Sequence, residues 1–451
     1  MCPRILFLFL TSLLLSATGS GQFTVSPNHH YLRKNGQPFF WLGDTAWELF
    51  HRLTREEAGK YLTRRKQQGF TVIQAVALAE LDGLHTPNAE GQLPLQDDDP
   101  AKPNEKYFEL LDYVIDKAAS LDMNIALLPT WGDKVFKNNW GTGPEIFTEA
   151  NAAVYGNWIA DRYKDRKNII WILGGDRIPR GGADIAIWQA MALAIMRATG
   201  NRAIISYHGQ PNETGSAAWF GSAGWFAFNI FQNGHCRDND NYNRILNSWL
   251  SKPTRPVIDA EPIYEDHPVC FNVKDLGTSS AYDVRKYAYL DLFAGAFGHT
   301  YGCHDIWQFY DTGRTGINGP HLSWQDALEL PGAVQMGNLK KVMTAYPLED
   351  RVPDQSLIAE NNFPPAERIQ ATRGKDYLFV YTASGKSFTL TMAMITGKEV
   401  RGYWLDPRNG TAQPLAAMAN SGTRRFDPPS AGYGKDWVLI LEDNNRKPAA
   451  L

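Results

Sequence analysis

The sequence predicts a (β/α)8 TIM barrel followed by a small all-β sandwich domain. Between about residues 39 and 346, eight short apolar runs of β type alternate with longer segments of helical period, the pattern of a parallel sheet covered by helices. Eight such units in roughly 310 residues exceed what an open doubly wound sheet usually needs and match a closed barrel. Beyond residue 352 the helical period stops and alternating runs follow one another, which points to a separate antiparallel domain.

In chain order, Arg4 precedes an apolar run over 5–15 and then the small residues Ser16, Ala17, Gly19, Ser20 and Gly21, so residues 1–21 read as a secretory signal peptide. The run is too short to span a bilayer, and no later stretch reaches about 18 consecutive apolar residues. The mature chain is therefore expected to be exported, periplasmic or secreted, without membrane insertion after cleavage. The barrel, assigned to 22–348, opens with a hairpin over 31–40 whose Asn35-Gly36 pair supplies the turn and which lids the N-terminal mouth. Its strands are expected over 39–43, 71–78, 124–129, 169–173, 203–207, 225–231, 256–260 and 299–306. Helical stretches follow over 55–68, 107–120, 152–164, 185–198, 242–250, 281–296 and 328–345, whereas the connection at 211–224 shows no clear helix. The β-domain, assigned to 352–444, has strands over 377–382, 387–392, 400–405 and 437–441, with turns at Ser384-Gly385 and Asn409-Gly410. No flexible linker separates the two domains, so they are expected to share a firm interface.

Charge and composition narrow the function. With 45 Lys and Arg against 48 Asp and Glu, the net charge of −3 leaves no basic surplus for phosphates, which excludes nucleic acid as the expected partner. The 14 Trp, 19 Tyr and 22 Phe suit stacking on flat uncharged ligands such as sugar rings, although core packing can use many of them. Beyond the signal, Cys236, Cys270 and Cys303 permit at most one disulfide. Cys236 and Cys270 follow neighbouring strands six and seven and could bridge over the rim, but buried free thiols are the preferred expectation.

Barrel enzymes place their chemistry at the C-terminal ends of strands. Here those ends offer Asp44 and Trp47 after strand one, Gln74 on strand two, Trp131 after strand three, Asp176 after strand four and His208 after strand five. Gln232 and His235 follow from strand six, Glu261 and Tyr264 from strand seven, and His304, Asp305 and Trp307 from strand eight. Glycoside hydrolysis needs two carboxyl groups flanking the scissile bond, and Asp176 and Glu261 are expected to face each other across the mouth. Asp44 and Asp305 compete for the same roles. A carboxylic acid that keeps its proton needs apolar surroundings, which Trp131 or Trp307 supply, and Arg177 is expected to point away. His208, His235 and His304 raise the alternative of a zinc site, but no HExxH or HxH pair occurs, so no metal and no cofactor are expected. Motifs for serine hydrolases, phosphate loops and dinucleotide binding are missing.

Several of these segments resemble the apiosidase-like enzymes of glycoside hydrolase family 140, with a DUF4038-type barrel and a collagen-binding-like C-terminal domain. They are Phe40-Trp-Leu-Gly-Asp-Thr-Ala-Trp47, Trp171-Ile-Leu-Gly-Gly-Asp176, Phe228-Asn-Ile-Phe-Gln-Asn-Gly-His235, Glu261-Pro-Ile-Tyr-Glu-Asp266 and His299-Thr-Tyr-Gly-Cys-His-Asp-Ile-Trp-Gln308. Leu330-Pro-Gly-Ala-Val-Gln-Met-Gly337 and Arg351-Val-Pro-Asp-Gln355 complete the set, which runs over nearly the whole mature chain. The resemblance implies an exo-acting retaining glycosidase that releases apiose from side chains of pectic rhamnogalacturonan II, a plant cell-wall substrate. It also implies that Asp176 is the acid/base and Glu261 the nucleophile. The run after strand five, His208-Gly-Gln-Pro-Asn-Glu-Thr-Gly-Ser216, departs from the His-Pro-Gly-Ser-Ser-like run of the family. A glycosidase of the same fold for another pentoside or furanoside, a non-catalytic carbohydrate-binding barrel and a metal-dependent hydrolase are the alternatives.

Overall fold

In the computed structural model, which describes residues 23–360 and 362–449, eight parallel strands form one sheet. The signal peptide assigned to 1–21 lies outside the described residues. The barrel strands are Trp41–Thr45, Val72–Leu78, Asn124–Thr130, Ile169–Gly174, Ile205–His208, Asn229–Gln232, Val257–Glu261 and Gly298–Tyr301, here counted one to eight. Every residue of all eight is buried, which is why they read as unbroken apolar runs. Around the sheet the order is five, four, three, two, one, eight, seven, six, and a parallel bridge from Ile205 to Phe226 closes the ring.

The largest departures from the expected strand bounds are at strands one, six and eight, each for a local reason. Strand one begins at Trp41, because Gln37–Phe39 pairs instead with Leu32–Lys34 in the N-terminal hairpin. Strand six is only Asn229–Gln232, and the residues before it, Trp225 and Phe226, pack among aromatic rings. Strand eight stops at Tyr301, and His304–Trp307 is a helical turn. At Gly302 the backbone passes so close to the Tyr264 ring that a Cβ would sit 1.9 Å from it, so only glycine fits there.

The outer helices are Arg55–Gln67, Glu105–Ser120, Glu149–Tyr163, Gly182–Ala198, Asn241–Leu250, Ala281–Phe293 and Pro331–Thr344. The connection between strands five and six holds only the short helix Ala217–Phe220. The last outer helix starts at Pro331 rather than 328, since a proline without an N–H suits the first helical position.

The hairpin closes the base of the barrel. Phe23, Tyr31, Leu32 and Phe39 pack with Trp41, Phe228 and Phe297, and the same interior column continues upward through Val76, Leu128, Ile172 and Ile258 to Trp47, Trp131, Tyr264 and Trp307. An apolar filling thus supports the floor of the C-terminal mouth.

The C-terminal domain is an antiparallel sheet of six strands with a separate two-stranded ribbon, Phe388–Thr391 with Thr423–Phe426. Phe388, Leu390 and Phe426 from the ribbon share a core with Ile369, Val380, Leu439 and Trp437 from the sheet. The sheet's other face covers the helix Ala281–Phe293. Tyr289 stacks on Tyr381 at 5.0 Å, Phe293 on Phe379 at 5.7 Å, and Arg285 pairs with the buried Asp436 at 2.6 Å. This helix, pressed between barrel and sheet, is the reason the domains sit firmly together.

Candidate active site

The turn after strand four is built for close approach. Gly174 and Gly175 have φ of 84° and 122°, and a Cβ would meet the His208 carbonyl oxygen at 2.2 Å or the Trp131 ring at 2.6 Å. The chain can therefore bend only through glycine, and Asp176 follows at φ 54°, a strained position for a side-chain-bearing residue. Its N–H points at His208 Nδ1, 3.4 Å away. The other ring nitrogen, Nε2, lies 3.0 Å from Glu261 Oε2.

Glu261 closes strand seven and pairs in register with Gln232 on strand six. Gln232 Nε2 donates to Asp176 Oδ1 at 3.0 Å, so a single amide links the neighbourhoods of the two carboxyls. His235 Nε2 lies 3.6 Å from Glu261 Oε1, and Tyr264 packs on the His235 ring at 4.5 Å. Trp47, with Trp131 at 5.2 Å and His208 at 5.4 Å, forms the apolar side. Buried polar atoms in this wall without a hydrogen-bond partner in the protein include Trp131 Nε1, Gln232 Oε1, His235 Nδ1 and Tyr264 Oη. Such atoms are costly unless a ligand satisfies them.

The two carboxyls are driven apart electrostatically. Burial, reinforced by the charge of Glu261, pushes Asp176 up to about 6, with Arg177 opposing. Burial also acts to raise Glu261, but hydrogen bonding and charge from His208 and His235 overcome it and hold the carboxyl below the usual range. Below about pH 6 the site thus favours one proton-retaining and one ionised carboxyl, the division that an acid and a nucleophile require.

Arg177 does not point away. Its guanidinium donates to the carbonyls of Phe136, Lys137 and Asp176, and Nη1 remains 3.6 Å from Asp176 Oδ2. The backbone of the 132–141 loop needs those donors, and the charge stays beside the acid as a consequence.

Four other sequence-predicted residues are engaged elsewhere. Asp44 turns outward, where its fully buried carboxylate pairs with Arg65 at 2.6 Å and accepts from Tyr61. Gln74 lies in mid-strand, four residues short of the end of strand two, and donates to the Ala260 carbonyl inside the barrel. Asp305 Oδ1 accepts the N–H groups of His321 and Leu322, which organises the loop after strand eight. His304 has both ring nitrogens occupied, Nδ1 by Trp307 and Nε2 by the Asn318 carbonyl. Trp307 is buried in the interior column beside it.

His208, His235 and His304 do not converge as metal ligands. Among the described residues, ligand spacing occurs instead at Asp266, Asp305 and His321, beside the mouth. Sequence reading also missed Glu80, which follows the true end of strand two; burial and the charge of Asp176 raise its pKa well above the usual range. It missed His267 as well, whose ring packs 4.0 Å from His235 and 4.6 Å from His304. Cys236 and Cys270, expected as free thiols, form a disulfide, because the loops after strands six and seven cross at the rim. Cys303 is free and buried.

Residues 26–350 match the family described as "Apiosidase-like, catalytic domain", and residues 352–442 match one described as "Putative collagen-binding domain of a collagenase". No curated protein matches the chain. A solved structure titled "Glycoside hydrolase" is 36% identical, with TM-score 0.86 over 95% of this chain and 98% of its own. A glycoside hydrolase family 5 structure from Bacteroides vulgatus is also 36% identical, with TM-score 0.87 over 95% of each chain. The chain therefore belongs to the apiosidase-like family, and its barrel is that of a glycoside hydrolase.

Proposed function

We propose that this glycoside hydrolase is an exo-acting, retaining apiosidase that removes apiose from rhamnogalacturonan II side chains of pectin. The observation that supports the mechanism is the meeting of Asp176 and Glu261 at the mouth, joined through Gln232, in surroundings that raise one carboxyl and lower the other. In the first step the Asp176 carboxyl gives its proton to the glycosidic oxygen while a Glu261 oxygen attacks the anomeric carbon. The C–O bond to the leaving group breaks and a glycosyl ester on Glu261 forms. In the second step Asp176, now ionised, takes a proton from water, whose oxygen displaces Glu261 and frees the sugar. Gln232 holds Oδ1 of Asp176, which leaves Oδ2 to carry the proton.

The unpartnered Trp131 Nε1, Gln232 Oε1 and His235 Nδ1 support a polyhydroxylated ligand, since hydroxyl groups both donate and accept. The apiose assignment rests on the family match and on the sequence segments that resemble it. A screen of released monosaccharides from pectic oligosaccharides, rhamnogalacturonan II side chains included, tests it directly: apiose as the product supports the reading, and another pentose would replace it. NMR of the first-formed anomer tests retention, and an inverted product removes the nucleophile role from Glu261. We also propose that residues 1–21 direct export, which the N-terminus of the protein recovered from the periplasm or medium would establish.

A further inference from the structure

We propose that Asp266, Asp305 and His321 form a binding site for a divalent transition-metal cation, Zn2+ or Mn2+ by donor chemistry, that ties together the loops after barrel strands seven and eight. One ligand atom from each residue lies within 4.8 Å of the other two. That is the span a single cation bridges with bonds of about 2.0 to 2.4 Å. The three come from separate segments: Asp266 follows strand seven by five residues, Asp305 opens the turn after strand eight, and His321 lies beyond it.

A second observation points to a ligand. Asp305 is fully buried, and although its Oδ1 accepts two backbone N–H groups, its Oδ2 has no donor at all. Asp266 Oδ2 is also buried without a hydrogen-bond partner, although His321 Nε2 is only 3.3 Å away. Among the described residues no lysine or arginine pairs with either carboxylate. Two facing carboxylates with no cationic side chain between them repel, and one dication with a neutral imidazole cancels their charge. An imidazole among the ligands favours Zn2+ or Mn2+ over Ca2+, which prefers oxygen. His321 is 58% exposed, so the cation would enter from solvent and keep water in its remaining positions.

The consequence reaches the catalytic mouth by packing. Asp305 adjoins His304, whose ring touches His267, which in turn packs on His235 beside Glu261. The cation would hold this row of imidazoles in place without touching the substrate.

The test uses the full-length untagged protein, dialysed against a chelator and melted with and without micromolar Zn2+, Mn2+ or Ca2+. Binding at a hundredfold excess over Kd should raise Tm by roughly 3 °C. The shift should follow Zn2+ or Mn2+ rather than Ca2+, and should disappear in Asp305→Asn and in His321→Ala. The exposed His321 makes the second variant safe for folding. If the carboxyls merely share a proton, Tm will rise on acidification and ignore all three cations, which overturns the proposal. A metal-dependent shift that persists in both variants places the cation elsewhere and overturns it equally.

Discussion

Gln232 donates a hydrogen bond to Asp176 while standing in register with Glu261 on the adjacent strand. One amide therefore sets the position of the proposed acid relative to the proposed nucleophile. Neutral contacts at such a place matter because displacement of a catalytic group by about 1 Å can cost roughly a hundredfold in rate.

Replacement of that amide by Gln232→Ala should lower kcat by about 10- to 100-fold, the equivalent of one hydrogen bond to a charged group. The same change removes a contact that favours the ionised form of Asp176. The basic limb of the pH profile should consequently move upward. A rate loss with an unmoved limb would show that Gln232 acts on substrate alone.

Asp176 must hold its proton to act as acid, and its pKa is pushed up to about 6 by burial and by Glu261. Glu261 must be ionised, and its histidine neighbours hold it low. The profile of kcat/KM should fall as pH rises past about 6, and on the acidic side only below the ordinary carboxylate range, near 4. Asp176→Asn and Glu261→Gln should fold normally and lose activity by orders of magnitude; near wild-type turnover in either would remove its assignment.

Asp44 makes the opposite prediction. Because its carboxylate pairs with Arg65 away from the mouth, Asp44→Ala should leave an uncompensated buried charge and cost about 3 to 5 kcal/mol of stability. KM of the folded fraction should stay unchanged. A raised KM with wild-type melting behaviour would restore Asp44 as a substrate contact.

Beneath Glu261, Asp259 accepts the Glu261 N–H and the amides of Asn233 and Asn241, and a second buried carboxyl, Asp291, is its neighbour. Burial pushes Asp259 up to about 7 and Asp291 well above the usual range. Both folded values exceed the unfolded ones, so the native state binds more protons, and stability is lost as pH rises through the folded values. Asp291→Asn removes one of the two acid groups. Measured as Tm against pH, the variant should lose less stability than wild type between pH 5 and 8; parallel curves would contradict the shared-proton reading.

Much of the barrel and the place of its mouth was legible along the chain. Buried parallel strands read as apolar runs, strand ends in a barrel mark its mouth, and Asp176 and Glu261 both stand at such ends. Gln74 misled because the strand continues to Leu78, which moves the mouth to Glu80. Asp44 misled because neighbouring residues at a strand end face opposite sides, so Asp44 meets a helix while Trp47 meets the site.

The sequence by itself determined the barrel, the β-domain that follows it and the glycine-led turn that carries Asp176, because each depends on local pattern and short-range sterics. Tertiary structure alone decided what pairs through space: Asp44 with Arg65, Cys236 with Cys270, Gln232 with Asp176, and the convergence of Asp266, Asp305 and His321. These partners sit on different elements, and the protonation of each carboxyl depends on burial and on charges that only the folded chain brings within reach.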